Sequence, residues 1–230
     1  MDVGAVLFDL DGTLLDTLAD IAAAANAVLS RHGLPAHPVE AYRRFIGDGV
    51  ATLFHRALLP GHAEPERVAR CVEDFRDVHG RIWNVSTRPY AGIPELLDAL
   101  GARGLGLAIL SNKPDEFTRL CAAEYLARWP FRAVLGQRAG IPRKPDPAGA
   151  WEIAGRLGLP TDRFLYVGDS AVDMETARRA GMHPVGVAWG FRPAEELWAG
   201  GAGAVIDHPA ELLEVLDGRR PLRLSPEAGA

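Results

Sequence analysis

Apolar and polar positions along this chain follow two different patterns. The opening run, Val3-Gly4-Ala5-Val6-Leu7-Phe8, is short, continuous and apolar, as expected of a strand buried on both faces. From about residue 16 to 86 the spacing is helical. Asp16 and Thr17 can cap a helix whose stripe is Ile21, Ala25, Val28 and Leu29 and which ends at Gly33. Val50, Leu53, Phe54, Ala57 and Leu58 form a second stripe, stopped by Pro60-Gly61; Val68, Val72, Phe75, Val78 and Ile82 form a third. No strand pattern interrupts them, so residues 16–86 read as an all-helical module inserted behind the first strand.

From about residue 88 helix and strand signals alternate. A helix through Ile93, Leu96, Leu97 and Leu100 precedes a strand at 105–110, and further strands are expected near 133–135, 164–167, 185–188 and 204–206. This alternation predicts an α/β fold: a Rossmann-like parallel sheet, covered by helices on both faces and built from residues 1–15 and 87–218. Residues 219–230 hold turn formers with little apolar periodicity and are expected to form a flexible tail.

Composition narrows the function classes. Nearly half of the 230 residues are hydrophobic, enough for a substantial core without staples. The formal net charge of −5 and the lack of a basic run argue against nucleic acid as a partner. Cys71 and Cys121 lie in helix-like patterns far apart, as in a reduced, cytoplasmic protein. The apolar N-terminus is punctuated by Asp9 and Asp11 and lacks the basic start of a signal peptide, and no run approaches membrane-spanning length. No membrane partner is expected. Monomer and homodimer both remain open.

In parallel sheets, sites form where strands end and the chain turns towards the next helix. The first strand ends at Asp9, with Asp11, Gly12 and Thr13 following. Asp9 and Asp11 are two apart, so in extended geometry both leave the backbone on the same side. Two carboxylates ending an apolar strand call for a cation or hydrogen-bond donors to meet them. Gly12 permits a tight turn and is expected to leave its N–H open to an anion. The second strand ends in Ser111-Asn112-Lys113-Pro114, a later loop carries Lys144-Pro145-Asp146-Pro147, and the fourth strand ends in Gly168-Asp169-Ser170 with Asp173 beyond. Each has a plain structural use: Ser111 and Asn112 before Pro114 fit a helix cap, Lys144 a solvated lysine, and Ser170 with Asp173 a capping box. Their convergence on one rim of the sheet points to cation-assisted phosphoryl transfer.

Asp9-Leu10-Asp11-Gly12-Thr13 resembles the signature of the haloacid dehalogenase superfamily of aspartate-nucleophile phosphatases. Ser111, Lys144-Pro145 and Gly168-Asp169 with Asp173 resemble its second, third and fourth motifs, in the same order. The helical insert stands where that family carries a small helical cap domain. The resemblance implies Asp9 as nucleophile and Asp11 as general acid and base. It implies Mg2+ held by the Asp9 and Asp169 carboxylates and the Asp11 carbonyl. Ser111 and the Asn112 N–H would hold phosphoryl oxygens alongside Gly12 and Thr13, Lys144 would offset charge, and Asp173 would orient Lys144 or a metal-bound water.

Within the superfamily, Asp16-Thr17-Leu18-Ala19-Asp20-Ile21, Phe45-Ile46-Gly47-Asp48-Gly49-Val50 and Ser111-Asn112-Lys113-Pro114 resemble the phosphoglycolate phosphatases. The implied substrate is a small phosphorylated metabolite, phosphoglycolate first. Gly47 and Asp48 would face it from the cap, and Asp16 and residues 84–88 would act as hinges. A phosphomutase of the same superfamily would need a basic cluster in the cap, which the sequence does not offer. A dehalogenase proper has no use for Asp11 and Asp169. A phosphoacceptor or other binding protein would not require the whole set of Asp9, Asp11, Ser111, Lys144 and Asp169.

Overall fold

The opening apolar run forms β1 (Ala5–Phe8), fully buried. The computed structural model describes residues 2–58 and 62–222. After β1 the chain makes a two-residue strand, β2 (Leu15–Asp16), leaves for the helical segment and returns through β3 (Arg88–Pro89), which pairs antiparallel with β2. Two residues carry no periodicity, which is why this ribbon left no mark on the sequence pattern, and it takes Asp16 out of the stretch expected to be wholly helical.

Between the two ribbon strands lie α1 (Leu18–Arg31), α2 (Tyr42–Phe45), α3 (Val50–Ala57) and α4 (Pro65–Ile82). Proline opens α4 in the first turn, where its missing N–H costs nothing. The stripes close on one another: Ile21, Val28 and Leu29 of α1, Tyr42 of α2, Leu53 and Phe54 of α3, and Cys71, Phe75 and Val78 of α4 form one buried cluster. The expected stop at Pro60-Gly61 lies outside the described residues.

The remaining strands are β4 (Gly106–Pro114), β5 (Phe131–Gln137), β6 (Phe164–Gly168), β7 (His183–Val187) and β8 (Ala204–Ile206). Together with β1 they form a parallel sheet in the order β5-β4-β1-β6-β7-β8. Side chains alternate across it. Val6 and Phe8 join Leu107, Ile109 and Val167 under α5 (Ile93–Ala102) and α6 (Asp115–Tyr125), while Ala5 and Leu7 join Ala108, Phe164 and Tyr166 under α7 (Ala148–Leu157) and α8 (Ala171–Ala180). Burial on both faces explains the continuous apolar strands. α9 (Ala194–Ala199) and α10 (Glu211–Leu216) follow β7 and β8.

Two boundaries differ from expectation. β4 runs on through Ser111, Asn112 and Lys113 to Pro114, where the polar residues broke the apolar pattern, and its register with β5 shifts between Leu110 and Pro114. The start of the expected tail is docked: the Arg219 N–H donates to Glu214 O at 2.9 Å and Arg220 Nη1 to Val205 O at 2.9 Å. The rest of it, 223–230, lies outside the described residues. No described helix is long and apolar enough to cross a membrane.

The helical segment is tied down at its base by Asp20, buried on α1. Its carboxylate accepts from the N–H of Ser86 at 2.9 Å, the N–H of Thr87 at 2.9 Å and the Thr87 hydroxyl at 2.8 Å. Removing it leaves buried backbone donors unpaired. Asp20→Ala is expected to lower unfolding stability by about 1–3 kcal/mol in urea denaturation. A loss within the ~0.5 kcal/mol typical of surface substitutions would show that this tie carries no weight.

Candidate active site

Because β1 is central, its C-terminal end is flanked by those of β4 and β6, and the polar residues ending all three strands meet. The Asp9 N–H donates to Val167 O at 2.9 Å, continuing the pairing one step past the strand and fixing Asp9 beside Asp169. The chain then reverses through residues 10–15. Gly12, at φ 86°, donates its N–H to Leu15 O at 2.9 Å, and the Thr13 N–H points to Leu10 O at 3.3 Å. This corrects the expectation that the Gly12 amide is open to an anion, and that Thr13 stands beside it at the phosphoryl group: both amides are engaged in closing the turn, and neither residue lines the cavity. The Thr13 side chain is fully buried, with its hydroxyl unpartnered. Gly12 serves close approach instead, since a Cβ there would lie 2.1 Å from Asp169 Oδ2.

Lys144 arrives from the loop after β5 and is buried. Its Nζ donates to Asp9 Oδ1 and Asp173 Oδ1, both at 2.7 Å. Asp173 also closes the capping box of α8: its Oδ2 accepts from the Ser170 hydroxyl at 2.6 Å and from the Ser170 N–H at 3.2 Å. The cap and the lysine contact are two uses of one carboxylate. Burial works against the Lys144 charge, but Asp173 and Asp9 outweigh it and hold the ammonium well above the usual lysine range. Burial pushes the Asp9 carboxyl up to about 7, with Lys144 pulling against it and Asp173 adding to it. Burial, then the charges of Asp9 and Asp173, hold Asp169 well above the usual carboxylate range.

A second lysine, not singled out from the sequence, completes the electrostatics. Lys113 is buried at the end of β4, and its Nζ contacts Asp11 Oδ1 at 3.1 Å and Oδ2 at 3.3 Å. Its place directly after Ser111-Asn112 at a strand end was the available signal. Ser111 is buried and lines the cavity together with Asp9, Asp11, Lys113 and Lys144. Asn112 has a larger part than a backbone amide. Its Nδ2 donates to Gly47 O at 3.0 Å and Lys144 O at 3.2 Å, and its Oδ1 accepts from the Lys144 N–H at 2.9 Å.

Gly47 and Gly49 line the cavity from the α2–α3 loop, and Asp48 does not. The Asp48 carboxylate pairs with Arg56 at 2.5 Å, and its carbonyl accepts from Arg143 Nη1 at 3.3 Å. Asp48, expected to face the substrate, is turned to a neighbouring arginine. Two further arginines join the helical segment to the sheet. Arg43 Nη1 donates to Gly190 O at 2.8 Å, while Arg192 donates to Ile46 O at 2.8 Å and also to Arg43 O. Residues this distant in sequence give no pattern to read.

The site suits a divalent cation. The carboxylates of Asp9, Asp169 and Asp173 each offer an oxygen within 4.8 Å of the others. Asp173 is saturated by Lys144 and Ser170, whereas Asp9 accepts from Lys144 at Oδ1 alone and Asp169 from the Phe191 N–H at Oδ2 alone. Two ammonium groups, of Lys113 and Lys144, stand among the carboxylates of Asp9, Asp11, Asp169 and Asp173, so negative charge is in excess. An all-oxygen donor set fits a hard cation such as Mg2+.

Comparison with known proteins gives the same family. The model described as haloacid dehalogenase-like hydrolase matches residues 6–187. The chain is 35% identical over 222 residues to the N-acetylmuramic acid 6-phosphate phosphatase of Pseudomonas aeruginosa, covering 94% of this chain and 96% of that one. It is 34% identical over 211 residues to the phosphoglycolate phosphatase of Nitrosospira multiformis, covering 90% and 92%. A crystal structure from Lactobacillus delbrueckii subsp. bulgaricus, provisionally assigned as a phosphoglycolate phosphatase, superposes with a TM-score of 0.88 at 32% identity, covering 94% of this chain and 99% of that one.

The excess negative charge predicts opposite responses to two substitutions. Lys144→Met strands buried carboxylates and is expected to lower unfolding stability by about 3–5 kcal/mol. Asp9→Asn removes one of the crowded charges and is expected to leave the metal-free protein at least as stable as the wild type. Denaturant titration in chelator checks both, and equal destabilisation by the two would contradict the charge balance.

Proposed function

This chain belongs to the haloacid dehalogenase-like hydrolases, and on that premise we propose that it hydrolyses small phosphate monoesters, with Mg2+, through a phosphoryl group carried transiently on Asp9. The observation that carries the reading is the Lys144 bridge from Asp9 Oδ1 to Asp173 Oδ1, beside Asp169 at the end of the central strand. It fixes the Asp9 carboxylate at the end of the strand and leaves its unpartnered oxygen for the cation.

In the first half-reaction an Asp9 carboxylate oxygen bonds to phosphorus as the bond to the leaving oxygen breaks, and Asp11 gives that leaving oxygen a proton. In the second half Asp11 takes a proton from a water whose oxygen bonds to phosphorus. The bond to Asp9 breaks, and inorganic phosphate leaves. Lys113 holds the Asp11 carboxylate in place, and Lys144 offsets charge gathering around Asp9. The Ser111 hydroxyl and the Asn112 N–H donate to phosphoryl oxygens. Asp9, Asp169 and the Asp11 carbonyl would hold Mg2+, which would supply positive charge to the phosphoryl group and the attacking carboxylate.

The helical segment, residues 16–86, acts as a cap over this site, hinged near Asp16 and residues 84–88, and its closure excludes water. The resemblance and the name of the Nitrosospira relative make phosphoglycolate the first substrate to test. The name of the Pseudomonas relative makes a phosphorylated amino sugar the second. The cap lends no lysine or arginine to the cavity wall, which disfavours a phosphomutase holding a bisphosphate.

Hydrolysis of a panel of phosphate esters is expected to require Mg2+ and to vanish in chelator or on Asp9→Asn. Asp11→Asn is expected to lower kcat by about 10²–10⁴-fold. Undiminished turnover by Asp9→Asn, or without divalent metal, would rule out the mechanism.

A further inference from the structure

The cavity wall facing the carboxylates is apolar, built from Ile21, Ile46, Val50, Leu53 and Phe75 of the helical segment and Phe117 of α6. One polar ring interrupts it. His79 on α4 is buried and lines the same cavity as Asp9 and Asp11. It stacks on Phe75 with ring centroids 5.0 Å apart and planes 18° apart, and meets Phe117 edge-on at 4.7 Å. Two aromatic neighbours therefore fix the plane of the imidazole.

Its hydrogen bonding is incomplete. Nδ1 is enclosed without a partner among the described residues. With Nδ1 enclosed and the ring on the cavity wall, Nε2 is the nitrogen left to meet a ligand. Burial, and then the Lys113 charge, lower the imidazole pKa to about 3, so the ring is neutral across the working range. A neutral ring nitrogen pairs with a hydroxyl or an amide better than with an anion.

The charged groups lining the cavity fit the same picture. Lys144 is held by Asp9 and Asp173, and Lys113 by Asp11. Arg192 is held by Ile46 O, Arg43 O and Glu196. A carboxylate pressed against the apolar wall would lose its water and meet no free cation among these.

We infer that His79 is a specificity-determining residue whose Nε2 hydrogen-bonds an uncharged hydroxyl or amide on the leaving group, while the Phe75 and Phe117 rings cover that group's apolar face. This inference rests on the phosphatase reading above and deepens it. The favoured esters are those with a hydroxylated or N-acylated carbon skeleton, such as sugar phosphates, rather than esters whose leaving group offers only a carboxylate.

The test compares kcat/KM for glucose 6-phosphate, N-acetylglucosamine 6-phosphate, phosphoglycolate and phenyl phosphate in wild type, His79→Phe and His79→Gln, all with Mg2+. Phenyl phosphate has the apolar face without the hydrogen-bonding group. His79→Phe is expected to lower kcat/KM for the better sugar phosphate, relative to phenyl phosphate, by about tenfold or more, mostly through KM. His79→Gln keeps an amide near Nε2 and is expected to restore at least part of that ratio. Thermal melting of each variant separates a folding defect, which lowers every ester together, from lost selectivity. An unchanged ratio, or a selective loss on phosphoglycolate, overturns the inference. Wild type that hydrolyses none of the four esters, phenyl phosphate included, overturns the phosphatase reading itself.

Discussion

Four carboxylates collected at the end of a buried sheet cannot stand without counter-charge, and the rest of this site follows from how that charge is met. Lys144 and Lys113 reach the acids from different strand ends, one bridging Asp9 and Asp173, the other facing Asp11. Two ammonium groups are too few, and burial, reinforced by the neighbouring carboxylates, holds the Asp9 and Asp169 carboxyls above their usual range. A hard divalent cation would offset the excess negative charge at the oxygens that lack hydrogen-bond partners. Asp9 and Asp11 stand in different surroundings, because each acid has its own lysine.

The helical segment lines the cavity beside that charge cluster with apolar side chains. Its stripes are consumed mainly by its own core, and Phe191 from the loop after β7 packs into that core as well. Polar contacts across the seam include Asn112 on Gly47 O, Arg43 on Gly190 O, Arg192 on Ile46 O and Arg143 on Asp48 O. Asn112 also brackets the backbone of Lys144. The α2–α3 loop and the lysine bound to Asp9 therefore share one side chain, so the placements of the loop and of the lysine backbone are coupled.

Much of this was legible in the sequence where a single element carried the signal. The buried strands read as apolar runs because helices cover both faces, and Asp9, Ser111 and Asp169 stood out as polar residues at their ends. Asp173 was legible as a capping residue, and its second contact, with Lys144, only through family likeness. What stayed hidden depends on pairs far apart in the chain. Nothing in the sequence sets Arg43 against Gly190, or Asp48 against Arg56 rather than a ligand. The Gly12 amide looked free because a glycine turn can present it outward; the carbonyl of Leu15 takes it instead. Likewise, a two-residue ribbon such as β2 with β3 is too short to show any period.

The position of β1 has a consequence for how the molecule is made. Ala5 lies in register with Gly106 on one side and Phe164 on the other. Loop-closure entropy favours near neighbours over distant ones, so the contacts among α1, α3 and α4 are available to a growing chain long before β1 has a partner. The strand leading to Asp9 is thus made before both strands that flank it and is among the last to be enclosed. Until β6 emerges to flank it, its apolar faces and its acids lie open together, and the two carboxylates that punctuate its end also keep an exposed strand from pairing with its like.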